Sequence, residues 1–295
     1  MQLLDGKVVS RHVKNDLKDK VEKRLAKGLP APHLVAVLVG DDPASASYVR
    51  SKVRSCDQVG FKSTLIRKAD TISQEELIAI VEELNADNDV DGFIVQLPLP
   101  NHIDDQSITL AIDPRKDVDG FHPVNFGRMA QGLPAYIPAT PLGILKMLEY
   151  YKVETNGRNC VVVGRSNIVG TPMSILLSRK ANPGNCTVTL THSRTKDIKA
   201  ELLRADIIIA AIGIPHFVKE DMVKEGAVVI DVGINRVEDA SRERGYRLVG
   251  DVDFDNVAPK TSYITPVPGG VGLMTVASLM LNTYYSAEQS IYQKG

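Results

Sequence analysis

Val161-Val-Val-Gly-Arg-Ser-Asn-Ile-Val-Gly-Thr-Pro172 joins a short apolar strand to a helix through a tight turn at Gly164. The helix opens near Gly170 and turns Ile175, Leu176 and Leu177 inward. The N–H groups of such a turn and the positive end of the helix dipole face one point, so a pyrophosphate can sit there without a dedicated cation. This predicts the first βα turn of a dinucleotide-binding sheet. The spacing departs from G-x-G-x-x-G, because Ser166 stands in the second glycine's place and Gly170 falls one residue late. Taken alone, the stretch reads equally well as a loop that merely turns between strand and helix.

The next strand, Thr187–Thr191, ends in His192-Ser-Arg-Thr195, where a fold that prefers NAD places an Asp or Glu against the ribose hydroxyls. No carboxylate stands there. Arg165 from the glycine turn and Arg194 from the end of this strand can both reach toward a 2′-phosphate, with the Ser193 hydroxyl as a further donor. The pattern favours NADP. The competing reading makes both arginines solvated loop residues, and their placement at two particular strand ends argues against it.

Of the 295 residues, 43% are hydrophobic and 24% charged, with a formal net charge of −1. This length predicts two domains, each large enough to bury a core. A near-neutral balance without a basic run argues against a nucleic-acid partner, since phosphate neutralisation needs clustered Lys and Arg. The start, Met1-Gln-Leu-Leu-Asp-Gly-Lys7, has no cationic flank before an apolar core, and no window reaches the length of a membrane span. A cytoplasmic protein is expected. Cys56, Cys160 and Cys186 are odd in number and lack C-x-x-C spacing, so neither a disulfide framework nor a zinc site is indicated.

Along the chain, Val9, Val13, Leu17, Val21 and Leu25 form one stripe of a first helix. The apolar run 34–39, closed by Gly40-Asp-Asp-Pro43, predicts an internal parallel strand followed by a helix over 44–59. A strand at 63–67, a helix opened by the Ser73 to Glu76 capping box and a buried strand at 92–97 follow. Repeated strand–helix units imply an α/β fold with largely parallel sheets flanked by helices. The segment from Asp113 past Gly120 interrupts that rhythm. We place a boundary at 139/140, with Thr140 capping a helix whose first residue is Pro141. The expected domains are 1–139 and 140–272, the first completed by a C-terminal helix at about 273–295. The second domain adds strands at 207–211, 227–232 and 248–249. Gly213 and Gly233-Ile234-Asn235 follow two of these strands, and their ends face the crevice where a dinucleotide binds.

Tyr48 and Lys52 lie one turn apart on the helix over 44–59. Gln96 ends a buried strand, where ligands of open α/β sheets bind, and Asp119 precedes a glycine in a turn. A lysine partly desolvated in such a place has its pKa lowered toward the range of a general acid or base. A solvated surface lysine and a packed tyrosine remain the commoner fates of these residue types.

Tyr48-x-x-x-Lys52, Val95-Gln-Leu-Pro-Leu-Pro100, Lys116-Asp-Val-Asp-Gly120, Gly164-Arg-Ser166 and Pro268-Gly-Gly-Val-Gly272 occur in one order along the chain. In that order and spacing the chain resembles the bifunctional methylenetetrahydrofolate dehydrogenase/methenyltetrahydrofolate cyclohydrolase family. The resemblance implies two α/β domains with a cleft between them, the first for folate and the second a Rossmann-like NADP domain, usually in a homodimer. It implies that Lys52 is the central catalytic residue, Tyr48 lies beside the folate's aromatic portion, Gln96 tunes Lys52 and Asp119 anchors the pterin. It assigns Gly272 and Leu273 to the substrate. To NADP it assigns Gly164, Arg165, Ser166, Ser193, Arg194, Gly213, Ile234 and Thr275, with no metal. The substrates it implies are tetrahydrofolate derivatives. One departure stands out: where the family commonly reads Gly-Val-Gly-Pro-Met-Thr, this chain has Gly272-Leu-Met-Thr275, which removes a rigid φ at a helix start and adds bulk near the expected folate site. Other readings are a dehydrogenase with little cyclohydrolase activity, an oxidoreductase of the shikimate dehydrogenase type, and a non-catalytic NADP-binding regulator.

Overall fold

The computed structural model describes residues 1–242 and 245–292. In chain order the elements begin with β1 (Gln2–Leu3), α1 (Gly6–Ala26), β2 (His33–Val39), α2 (Pro43–Val59), β3 (Lys62–Lys68), α3 (Gln74–Ala86) and β4 (Gly92–Val95). Next come α4 (Asp105–Ala111), α5 (Pro123–Ala130), α6 (Ala139–Tyr150), β5 (Asn159–Val163), α7 (Gly170–Ser178), β6 (Thr187–Thr191), α8 (Ile198–Leu203) and β7 (Ile207–Ala210). The chain ends with β8 (Val228–Asp231), β9 (Asn235–Glu238), β10 (Tyr246–Val249), α9 (Phe254–Val257), β11 (Tyr263–Ile264) and α10 (Val271–Ala287).

The chain divides into two compact units. Unit A comprises Met1–Ser10 and Thr140–Thr275, and unit B comprises Arg11–Ala139 with the chain from Val276 on. These units depart from the expected division of 1–139 and 140–272 at residues 1–10. Residues 1–10 fall in unit A because β1 adds to its sheet, with Gln2 paired to Tyr263 and Leu3 to Ile264. The helix expected at about 273–295 runs over Val271–Ala287, and Gln293, Lys294 and Gly295 lie outside the described residues.

Unit B holds a three-stranded sheet, β3-β2-β4, with β2 parallel to both neighbours. Every residue of β2 is buried, the pattern of a strand covered on both faces. Helix α2 follows, with the Asp42 carboxylate accepting from Ser45 N at 2.7 Å, Pro43 in the first turn and Gly60 closing the end at φ 79°. The Ser73/Glu76 capping box opens α3. In the interval expected to be irregular, α5 forms because Pro123 starts it and His122 Nδ1 accepts from Val124 N.

Unit A holds a six-stranded sheet in the order β1-β11-β8-β7-β5-β6, parallel throughout. Val161, Val162 and Val163 of β5, between β7 and the edge strand β6, are almost fully buried. Each such side chain contributes about 1.5–3 kcal/mol by leaving water. The strand expected at 248–249 belongs instead to an antiparallel hairpin, β9-β10, outside the parallel sheet. Its alternating half-buried pattern fits a ribbon with one wet face. Thr140 does not cap α6, which begins at Ala139; its hydroxyl meets the Thr275 hydroxyl at 2.9 Å.

Candidate active site and cofactor turn

In unit B the apolar stripe of α2 reads Ser45, Val49, Lys52, Cys56, Val59, all buried, at alternating steps of four and three. Lys52 therefore occupies a core position on the helix and is only 8% exposed. That stripe was the signal in the sequence that a one-turn Tyr48–Lys52 spacing does not convey. The ammonium donates to Gln96 Oε1 at 3.1 Å. Gln96 is held from both sides: its N–H continues the ladder to Val37 O at 2.9 Å, and its Nε2 donates to Leu97 O at 2.6 Å. The side-chain amide is thus turned so that its oxygen faces the lysine. Burial pushes the Lys52 pKa down, and the Asp119 carboxylate acts against that shift. Asp119 is raised by desolvation in turn and lowered by Lys52. Tyr48, one turn earlier, is 45% exposed.

Asp119 owes its place to residues that sequence reasoning missed. Segment 116–117 joins the edge of β4, with Phe93 N donating to Lys116 O at 3.1 Å. The Asp117 carboxylate accepts from Phe121 N at 3.2 Å, His122 N at 2.8 Å and Asn125 Nδ2 at 2.9 Å, closing the turn around Asp119. Burial raises the Asp117 pKa to about 7 against the pull of those donors. From α10, Asn282 Nδ2 donates to Val118 O at 2.8 Å and Ile137 O at 2.9 Å. Gly120 has φ 74°, and a Cβ there would lie 2.7 Å from Pro138 N, so both conformation and space require glycine.

In unit A, the register aligns Thr191, Val163, Ala210 and Asp231 as one row across β6, β5, β7 and β8. The turns that follow these residues leave the same edge of the sheet. Gly164 has φ 108°, and a Cβ there would overlap the Ala211 carbonyl oxygen. A Cβ at Gly170 would overlap the Gly164 oxygen, so α7 starts hard against the turn. Gly170 does the packing work of the motif's last glycine despite its late position. Ser166 Oγ accepts from Val169 N at 3.2 Å and Gly170 N at 3.4 Å, closing the helix start from within. This glycine-built backbone turn fits a pyrophosphate.

Gly164 N donates to Thr191 O at 2.9 Å, tying the turn to β6. Arg165 and Ser193 each stand two residues beyond the paired Val163 and Thr191, and Arg165, Ser193 and Arg194 are all exposed. The turn at 192–195 is set by His192 N donating to Thr195 Oγ1 and Arg194 N donating to His192 Nδ1. Gly213 follows β7, and its N–H donates to Asp251 Oδ2 at 2.9 Å. A Cβ at Gly272 would lie 3.0 Å from Ile234 Cδ1, so these two expected site residues meet. Leu273 is 40% exposed, and its N–H donates to Gly270 O at 3.3 Å.

Two family models match: the tetrahydrofolate dehydrogenase/cyclohydrolase catalytic domain over residues 4–119, and the NAD(P)-binding domain of the same family over residues 138–291. The chain belongs to the tetrahydrofolate dehydrogenase/cyclohydrolase family. It is 62% identical over 287 residues to the bifunctional protein FolD of Cytophaga hutchinsonii, a match covering 97% of this chain and 99% of that one. The crystal structure of the bifunctional FolD enzyme from Campylobacter jejuni is 47% identical with a TM-score of 0.92, covering 98% of this chain and 99% of that one. The Trypanosoma brucei dehydrogenase-cyclohydrolase, solved with NADP cofactor and an inhibitor, is 37% identical with a TM-score of 0.90, covering 98% of both chains. As a family member the chain is an enzyme with an NAD(P)-binding domain. Among the described residues, no helix is long and apolar enough to cross a membrane, and no group of three or more His, Cys, Asp and Glu side chains could hold a metal ion.

Proposed function

We propose that this enzyme oxidises 5,10-methylenetetrahydrofolate to the 5,10-methenyl cation with NADP and hydrolyses that cation to 10-formyltetrahydrofolate. The observation that carries the reading is the buried Lys52, held by Gln96 and lying within the field of Asp119. Family membership supports both activities.

When bound, the nicotinamide supplies the hydride acceptor. Unit A would hold the cofactor's pyrophosphate at the glycine turn, with Arg165, Ser193 and Arg194 available to a 2′-phosphate; the absence of a carboxylate at the end of β6 supports NADP over NAD. In unit B, Asp119 accepts from the pterin's polar N–H edge, and Tyr48 presents an exposed ring to the folate. In hydrolysis, water adds to the methenyl carbon. Lys52 Nζ takes the water's proton and returns one to N5 as the N5–carbon bond breaks, leaving the formyl group on N10 and releasing one proton overall. A lowered lysine pKa raises the fraction of neutral amine able to accept that proton. The Gln96 oxygen holds Nζ in place without adding a charge.

The reading extends to a cytoplasmic homodimer that supplies formyl donors for purine synthesis. The motif resemblance and the chemistry of the product support that extension. Sedimentation of the purified protein tests the dimer. A two-wavelength assay tests the chemistry, with methylenetetrahydrofolate plus NADP in one cuvette and methenyltetrahydrofolate alone in the other. Turnover in both is expected. Hydrolysis at the uncatalysed rate would leave a dehydrogenase only.

A further inference from the structure

Two buried carboxylates, Asp231 and Asp251, stand at the ligand edge of the sheet in unit A, and the site residues above do not account for them. Asp231 ends β8; its oxygens accept from Gly233 N at 3.0 Å, Asp251 N at 2.9 Å and Val252 N at 3.0 Å. Asp251, fully buried, lies two residues beyond β10. Its Oδ2 accepts from Ile212 N at 2.7 Å and Gly213 N at 2.9 Å, just past β7. Its Oδ1 accepts from Asn235 Nδ2 at 2.9 Å, just past β8. Side chains at the neighbouring positions would break this arrangement. A Cβ at Gly250 would overlap Asp231 Oδ2, and one at Gly233 would overlap Asp251 Oδ1.

The strand order says which part of a dinucleotide lies above these turns. The adenosine with its 2′-phosphate belongs at the β6 end and the pyrophosphate at the β5 turn. Since the order runs β6-β5-β7-β8, the rest of the molecule extends over the exits of β7 and β8. We propose that Asp251 is a positioning residue for the nicotinamide half of the cofactor, fastening the turn after β7 to the turn after β8. Asp231 holds Asp251 from behind, so the two turns move as one. A loop displaced by about an ångström costs rate in hydride transfer, because the reacting atoms must be held in near-contact. The inference rests on the dehydrogenase reading above.

The test compares Asp251→Ala, Asp251→Asn and Asn235→Ala. It measures kcat and KM for NADP, and separately the Kd of adenosine 2′,5′-bisphosphate, which carries only the adenine half. Asp251→Ala strands two main-chain donors and is expected to lower kcat/KM for NADP by about tenfold to a hundredfold. Asp251→Asn keeps an oxygen for Ile212 and Gly213 and lets the Asn235 amide turn to meet it, so it should recover most of that loss. Asn235→Ala removes one tether and should cost about three- to tenfold. The Kd of the bisphosphate should stay within about twofold throughout. Should Asp251→Ala fail to fold, Asn235→Ala decides. Bisphosphate binding lost in step with NADP, or an Asn235→Ala enzyme with wild-type kcat/KM, would overturn the inference. Wild type that does not reduce NADP would instead refute the dehydrogenase reading.

Discussion

The lysine centre of unit B and the cofactor turn of unit A solve opposite problems. Around Lys52, the proposed function rests on side chains, buried and fixed through other side chains: an ammonium in a core position, an amide oxygen on it, a carboxylate near it. Around Gly164, the proposed function rests on backbone, and the charged side chains Arg165 and Arg194 stand in the open. The contrast follows from the tasks. A proton carrier needs a shifted pKa, and burial is the strongest way to shift one. A site for phosphates needs donors and cations that the ligand itself will desolvate, and a guanidinium left exposed before binding costs little. Behind each site stands a buried carboxylate raised to about 7 by desolvation, Asp117 in unit B and Asp231 in unit A. Each gathers main-chain N–H groups and so shapes a turn.

The sharpest way to break this contrast is Lys52→Met, which keeps the packing volume and deletes the proposed proton carrier. Methenyl hydrolysis should fall by about 10²- to 10⁴-fold while the Kd for NADP holds. A variant that hydrolyses at the wild-type rate would remove Lys52 from the chemistry. On the backbone side, Gly164→Ala forces a Cβ into the Ala211 carbonyl at a positive φ, and it should destabilise unit A by about 1–3 kcal/mol. Chemical denaturation reads the loss, and an unchanged midpoint would show that the turn is not space-limited.

Arg165→Ala should weaken NADP by about tenfold and leave NAD nearly untouched, since only the 2′-phosphate contact is lost. Titrations with both cofactors decide this, and equal losses would remove Arg165 from the 2′-phosphate.

Asp119→Asn sharpens the electrostatic side. The Asp119 charge favours the ammonium form of Lys52, so neutralising it lets burial lower the Lys52 pKa further. The limb of the kcat–pH profile for methenyl hydrolysis that belongs to Lys52 should move toward acid. A shift toward base would contradict the assigned coupling. The smallest effect is expected from Leu273→Pro, which restores the residue common in the family. It gives up one 3.3 Å main-chain bond at a solvent-facing position, worth about 0.5–1 kcal/mol in thermal stability. A marked change in the ratio of the two activities would show that Leu273 sets their balance.

The elements of the fold were legible where one physical signal dominated. Buried parallel strands such as β2 and β5 announce themselves as apolar runs, and the Ser73/Glu76 box marks a helix start by its own hydrogen bonds. Thr140 misled because its position before Pro141 looks like a cap, whereas its hydroxyl is used by Thr275, 135 residues away. The β9-β10 hairpin was half missed because β9 is short and polar, and only its partner strand gives it a pattern. Of the candidate sites, Lys52, Gln96 and Asp119 could be named from motifs. The support of the Asp119 turn could not: Asn282 reaches it from a segment 164 residues away, and Asp117 and Asn125 meet only once the turn between them has folded.

The sequence by itself determined the period of each element, the glycines that admit close backbone approach and the chemistry available at each position, because these depend on neighbours along the chain. Tertiary structure alone decided that β1 joins the sheet of unit A, that Lys52 is buried against Gln96, and that Asp251 ties two turns together. Burial and the field of a distant carboxylate are properties of what folding brings alongside a residue, and no local pattern encodes them.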